Sequence, residues 1–301
     1  MPDALCKIPP LFYASIGSCN CESAAMSLVC SAPRLTVIEL ANMSKANNRV
    51  KRFPCPRTKI DFLIAADRKQ LSAAYELVYQ CYLRRGLIAP HDGKIVYRPA
   101  FGHPTSRTFV GLTEQGDLLG TLTLVGDNPH GFQLEQTFAD EISRLRASQR
   151  RLAEITCLAI KPMCDTAAMA VFFGLTRLMI HYAIFQRFDD LLIAVHPRHQ
   201  RFYCRRFLAY PIGQPRSHHA VKGKPAVCCR IELARLHQQG DRGLWQQYFG
   251  QPVPERLLAG GAMQLADHIY FCRRAGISDF AGQGRSECDA PPATAPRRLA
   301  S

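Results

Sequence analysis

The stretch Leu152-Ala153-Glu154-Ile155-Thr156-Cys157-Leu158-Ala159-Ile160 decides how this 301-residue chain folds. Nine residues dominated by apolar and β-branched side chains read as a buried strand. Alternation puts Leu152, Glu154, Thr156 and Leu158 on one face. Glu154 is out of place there, because a purely structural strand would have to bury its charge at a cost. Next comes Lys161-Pro162-Met163-Cys164-Asp165-Thr166-Ala167-Ala168. A helix then carries the stripe Val171, Leu175, Leu178, Tyr182 and Phe185, which Asp165 or Thr166 can cap. Leu191 to Val195 is a further short, strand-sized apolar run.

Working outward, Thr108–Leu112 and Leu118–Val125 predict a hairpin around Glu114-Gln115-Gly116-Asp117, a run of turn-forming residues. Glu135–Ser148 predicts a helix bearing Arg144 and Arg146. Ile60–Ala65 predicts a strand, and Asp67 with Gln70 a capping box. In the following helix Leu71, Ala74, Tyr75, Val78 and Tyr82 fall on one face, and Gly86 ends the run. A Pro-, Gly- and His-containing loop runs from Leu87 to Arg107. Beyond the central unit lie a short basic helix, His199–Leu208, and a last strand, Ala226–Leu233. Hairpins and crossovers in this order specify an α+β domain, one mixed and mostly antiparallel sheet flanked by helices. The expected organisation is a poorly ordered extension over 1–57, the domain over 58–235, a helical appendage over 236–280 and a disordered tail over 281–301.

Composition narrows the class. Hydrophobic residues make up 47% and charged residues 21%, as in ordinary globular chains. No stretch approaches the roughly 20 uninterrupted apolar residues of a spanning helix. The formal charge of +14 favours acidic partners. Thirteen cysteines include no C-x-x-C pair, and several lie in apolar periodic segments, where a reduced Cys acts as a small hydrophobe. No signal peptide is legible, so a reducing cytoplasm is expected.

Particular motifs sharpen this. Gly120-Thr121-Leu122-Thr123-Leu124-Val125, the run from Leu145-Arg146 to Leu152-Ala153-Glu154-Ile155, Val195-His196-Pro197-Arg198-His199 followed by Phe202-Tyr203, and Pro225-Ala226-Val227 resemble the long-chain N-acyl amino acid synthases. These are GNAT-type acyltransferases similar in fold to acyl-homoserine lactone synthases. The likeness covers roughly residues 60 to 233. It implies transfer of a fatty acyl group from an acyl carrier protein to an amino acid, with an acyl-phosphopantetheine thioester as donor substrate and no other cofactor. One departure bears on the donor. Ordinary GNAT enzymes cradle coenzyme A pyrophosphate on a glycine-rich loop. Here the corresponding Lys161–Ala168 holds no glycine, and its Cβ atoms and Pro162 oppose close approach of a diphosphate.

Amide formation from a thioester needs a base for the amine, donors for the oxyanion and a proton for the leaving thiolate. Glu154 is the expected base; the competing reading pairs it with Arg144, Arg146, Arg150 or Arg151. The resemblance implies that Tyr203 protonates the thiolate, against a purely core tyrosine. His196, at a strand end, is a candidate for positioning or proton shuttling. Metal binding by His196, His199 and the His218-His219 pair is the least favoured reading, since no Cys or carboxylate completes a site by spacing. Arg146 offers a fork for the acceptor's carboxylate. Backbone N–H groups near Leu158 and Ala159 are the oxyanion donors that the family implies. Lys161, Arg198, Arg201 and Arg205 form a basic surface toward which an acidic carrier would be steered. The rival readings are an acyl-homoserine lactone synthase-like enzyme, an acyl-CoA-dependent GNAT enzyme, and a non-catalytic acyl or nucleic-acid binder. Nucleic-acid binding is not expected; peripheral membrane contact is left open.

Overall fold

The computed structural model describes residues 59–277. The expected N-terminal extension and C-terminal tail lie outside the described residues.

The chain runs β1 (Ile60–Ile64), α1 (Arg68–Arg84), β2 (Arg107–Thr113), β3 (Leu118–Gly126), α2 (Glu135–Ala147), β4 (Leu152–Ile160), α3 (Asp165–Phe185), β5 (Asp190–Val195), α4 (Gln200–Phe207), β6 (Tyr210–Pro211), β7 (Arg216–His218) and β8 (Lys224–Glu232). Four short helices follow: α5 (Leu233–Gln239), α6 (Arg242–Phe249), α7 (Glu255–Leu258) and α8 (Leu265–Arg274). The strands form one sheet in the order β1-β2-β3-β4-β5-β8-β6, with β7 added against β8. Every pairing is antiparallel except β4 with β5, the crossover through α3.

Local chemistry accounts for most of this. Asp67 caps α1 by accepting the Gln70 N–H at 2.8 Å, and the Gln70 side chain reaches back to the Ala66 N–H at 2.9 Å. Gly86, at φ 64°, closes the helix in the left-handed region. Two apolar layers sandwich the sheet. One holds α3 with Leu122, Ile155, Leu158, Phe172 and Leu175; the other holds α1 with Tyr75, Val78, Leu152, Cys157 and Phe138 of α2. Gly120 lets α3 approach, since a Cβ there would stand 2.7 Å from Val171 Cγ1.

Three expectations are corrected. The N-cap of α3 is Cys164, without a side-chain cap bond, and Asp165 is already the first helical residue. Phe185, expected on the buried stripe, is 42% exposed at the last turn, whereas Val171, Leu175, Leu178 and Tyr182 are buried. The strands β6 and β7 went unforeseen, being two and three residues long. By length and composition α3 could cross a membrane; here it is the core helix of one layer. Of the C-terminal helices, α6 and α7 cover that layer, packing on α3 and, for α7, on β1, while α8 packs on the 3-10 turn Pro99–Gly102 and puts Phe271 and Cys272 into the α1 layer.

Candidate active site

The site begins where the sheet comes apart. β4 and β5 pair only at Leu152↔Asp190, Ala153↔Leu191 and Glu154↔Leu192. Beyond Glu154 the ladder stops and the strands diverge. The root of this fork is pinned by Asp190, whose fully buried carboxylate takes Arg150 Nε at 2.7 Å and Nη2 at 2.8 Å, and Arg230 Nη2 at 3.0 Å.

A second irregularity lies in β4 itself. Thr123 pairs with Thr156 but Thr121 with Ala159, so three steps on β4 match two on β3. The extra residue makes a β-bulge, and Cys157 takes φ 54°, a conformation that costs a side-chain-bearing residue about 1–2 kcal/mol. The bulge overturns one expectation. Leu158 does not share the face of Glu154; it turns to the α3 layer, while Cys157 and Ala159 face the α1 layer. It also lies where the backbone donors at Leu158 and Ala159 were expected, in a segment freed from β5 on one side.

Two clefts flank the fork. The first, about 540 Å³ and partly continuous with solvent, is lined by Tyr82, Gln133, Glu154, His196, His218 and Ala226, among others. The second, a narrow one, lies in the α3 layer between Leu122, Leu158, Phe172, Met179, Ile193 and Tyr203. Ile155 lines both, so the two clefts lie on either side of β4 at the diverging strands.

Glu154 is 4% exposed and stands at the fork. Its Oε2 accepts the Gln133 N–H at 2.7 Å. No ion pair forms on it among the described residues, so the competing reading, a salt bridge to a neighbouring arginine, does not hold. Arg146 is taken by Asp127 and Glu135, and Arg150 by Asp190. Burial raises the Glu154 pKa to about 7, and the nearby Arg98 charge and the N–H groups of Gln133 and Leu134 only partly offset that. A carboxyl group with this pKa exchanges a proton near neutrality.

Arg146 does not face the cleft with a free fork. Its Nε and Nη2 bond Asp127 at 2.8 and 2.7 Å, and its Nη1 and Nη2 bond Glu135 at 2.9 and 2.5 Å. Glu135 Oε1 also accepts the Phe132 N–H at 2.7 Å. Arg146 thus clamps the loop that presents Gln133 to Glu154.

His196 lines the first cleft, and its Nδ1 accepts the Arg198 N–H at 3.3 Å. Burial, Arg198 and Lys224 lower its pKa. His199 turns away: its Nε2 accepts Arg198 Nε at 2.8 Å, and burial with nearby cations lowers its pKa to about 3. Tyr203 sits within the second cleft, stacked on Phe207 with ring centroids 5.7 Å apart. Burial holds its hydroxyl firmly protonated. Glu154 and Tyr203 therefore occupy opposite sides of the fork. Lys161, Arg198, Arg201 and Arg205 are all exposed.

Sequence reasoning did not place Tyr82, Gln133 and His218 in the site. His218 ends a three-residue strand, is buried, and bonds Thr137 Oγ1 through Nδ1 at 2.9 Å. Burial lowers its pKa to about 4. Gln133 acts through its backbone, which no residue type announces.

A mixed sheet forked between its fourth and fifth strands, with a buried carboxylate at the fork, gives this chain a GNAT-type acyltransferase fold. A family model described as N-acyl amino acid synthase FeeM matches residues 73–232, more than half of the chain. The chain belongs to that family. Among solved structures it is similar to FeeM, an N-acyl amino acid synthase from uncultured soil microbes, at 21% identity and a TM-score of 0.51, covering 59% of this chain and 92% of that one. It is also similar to the AHL synthase LasI, at 15% identity and a TM-score of 0.49, covering 65% of this chain and 98% of that one. A GCN5-related N-acetyltransferase from Kribbella flavida shows 17% identity and a TM-score of 0.38, over 57% of this chain and 97% of that one. No curated protein matches the chain.

Proposed function

We propose that this protein transfers a long-chain fatty acyl group from an acyl carrier protein to the α-amino group of an amino acid. The observation that carries the reading is Glu154: a buried carboxyl group with a pKa of about 7, at the fork and in the wall of the first cleft.

In this reading the acceptor occupies the cleft lined by Glu154, His196 and His218, and the acyl chain enters the apolar cleft beneath α3. The thioester carbonyl then lies in the fork. Glu154 takes a proton from the acceptor's ammonium group, and the free amine attacks the carbonyl carbon. The tetrahedral oxyanion is met by backbone N–H groups of the bulged segment around Leu158 and Ala159. Collapse breaks the C–S bond; the attacking nitrogen releases its second proton as the amide forms, and the departing thiolate takes a proton from Tyr203, which the nitrogen's proton then restores, or takes that proton through His196. The thioester is already activated, so holding amine and carbonyl in line supplies much of the rate.

Two features favour a carrier protein over coenzyme A. The segment before α3 has no glycine, and Asp165 in the first turn sets a negative charge where a diphosphate would otherwise meet the helix N-terminus. The exposed Arg201 and Arg205 of α4, with Arg198 and Lys161, offer a basic surface to an acidic partner. With an acyl carrier protein as donor, the expected setting is the cytoplasm.

The test is product analysis by mass spectrometry with equal concentrations of palmitoyl carrier protein and palmitoyl-CoA, each with a mixture of amino acids. N-acyl amino acids formed at least tenfold faster from the carrier support the reading. Equal or faster product from the CoA donor overturns the choice of donor, and no product from either overturns the function.

A further inference from the structure

Arg98 lies directly before the 3-10 turn Pro99–Gly102, in extended conformation (φ −140°, ψ 149°). Its two neighbours in sequence are firmly placed. The Tyr97 ring packs edge-on to Tyr75 at 5.2 Å and to Phe101 at 5.6 Å, and the Tyr97 hydroxyl meets His268 Nδ1 at 2.5 Å. The turn itself is tied by Ser106 Oγ donating to the Ala100 carbonyl at 2.8 Å. Extended backbone sends successive side chains to opposite sides. With Tyr97 fixed in the α1 layer, the Arg98 side chain is directed away from that aromatic cluster.

Its position is unusual for a cation. Nη1 is buried and has no hydrogen-bond partner. Among the described residues no ion pair forms on its guanidinium, although its charge acts on Glu154, Glu135, His218 and Cys157. Glu154 and His218 line the acceptor cleft, and Cys157 carries the β4 bulge next to its lining residue Thr156. The other arginines nearby are engaged: Arg146 with Asp127 and Glu135, Arg216 with Glu141, Arg150 with Asp190. A buried charged donor left without an acceptor carries a desolvation penalty that a bound acceptor group would relieve.

We propose that Arg98 holds the α-carboxylate of the acceptor amino acid and so selects amino acids over simple amines. This rests on the acyltransfer reading above and replaces Arg146, whose fork is consumed by the loop clamp. An α-amino acid carries its ammonium and carboxylate on one carbon. Against them stand the Glu154 carboxyl, which takes a proton, and behind the cleft wall a guanidinium whose Nη1 lacks a partner and whose charge reaches Glu154 and His218. An acceptor whose carboxylate is neutralised leaves Arg98 Nη1 buried and unpaired, and sites of that kind discriminate strongly. The apolar lining from Ala194, Val221, Pro225 and Ala226 fits an apolar or aromatic acceptor side chain.

The test pairs L-leucine, L-phenylalanine and L-tyrosine with their carboxamides in turnover by wild type, Arg98→Gln and Arg98→Lys. Wild type is expected to prefer each acid at least about 100-fold in kcat/KM. Arg98→Gln should raise KM for the acids at least tenfold and leave KM for the amides little changed, erasing the preference, while any change in kcat through Glu154 falls on acid and amide alike and Arg98→Lys keeps part of the preference. Isothermal titration of acid and amide onto the acyl-free protein supplies an arm independent of turnover. Carboxylate-dependent binding that Arg98→Gln abolishes supports the assignment even if none of the donors gives product, an outcome that would defeat the acyltransfer reading instead. Equal handling of acid and amide by wild type, or equal losses on both in Arg98→Gln, overturns the assignment while leaving acyl transfer standing.

Discussion

Glu154 Oε2 accepts the backbone N–H of Gln133 at 2.7 Å, and the loop that carries this donor is held in place by Arg146. The bond favours the ionised form of a carboxyl group that burial favours as neutral, and the two effects leave its pKa near neutrality. The catalytic reading and the local architecture therefore meet in one contact.

Glu154→Gln removes the base while keeping the shape. The rate is expected to fall by a factor of about 100 to 10,000. Stability should move the other way with pH. The native carboxyl, at about 7, binds its proton more tightly than the unfolded one at 4.5, so wild-type stability falls as pH rises through that window and levels above 7. Across it the variant should gain roughly 3 kcal/mol on wild type at full effect, by about 1.4 kcal/mol per pKa unit. Urea unfolding at pH 4.5, 6 and 8 measures this, and parallel stability curves would refute it.

Arg146→Gln frees Asp127 and Glu135 and loosens the loop between β3 and α2. Loss of the Gln133 donor should shift the Glu154 midpoint upward and lower kcat about tenfold, with KM for the acceptor little changed. A large rise in acceptor KM at unchanged kcat would return Arg146 to the carboxylate-binding role first expected of it. Steady-state kinetics against pH separates the two.

Asp190→Asn strikes the root of the fork. It leaves Arg150 and Arg230 without their shared, fully buried carboxylate. Removing one partner from such a group costs about 3–5 kcal/mol. Chemical denaturation should show a loss of that size, whereas a loss below about 1 kcal/mol would mean that the fork is held by other contacts.

Met179→Phe narrows the apolar cleft beneath α3. The added bulk is expected to cost about 1–3 kcal/mol and to shift the preferred acyl chain to shorter lengths. Competition among donors of graded length reads the shift, and an unaltered length profile in a folded variant would place the acyl chain elsewhere.

Arg201→Glu combined with Arg205→Glu should raise KM for a carrier-bound donor at least tenfold at low salt, with a smaller effect at 0.5 M NaCl. A soluble acyl-pantetheine donor should be unaffected. Equal losses on both donors would mean that α4 contributes through packing rather than docking.

Much of this was legible in the sequence. Glu154 announced itself as a charge in an apolar strand, and the capping pair Asp67 and Gln70 formed at the expected helix start. Two features escaped because their causes are not local. The bulge at Cys157 is a register mismatch between β3 and β4, invisible to simple alternation, and it carried Leu158 to the opposite face. The fate of Arg146 depended on Asp127, 19 residues earlier, and Glu135, 11 residues earlier. Its basic, half-exposed position gave no sign that both forks were spoken for. His218 and Arg98 lie on a three-residue strand and a loop, where periodicity says nothing about orientation.

The most direct test of the central claim is the pH dependence of kcat/KM for N-acylation, measured for wild type and Glu154→Gln with the same acyl carrier donor and amino acid. Wild type should rise with pH to a break near 7 and then flatten with respect to this group, while the variant should run at least about 100-fold slower and lack the break. A variant that keeps both the rate and the break near 7 would contradict the assignment of Glu154 as the base.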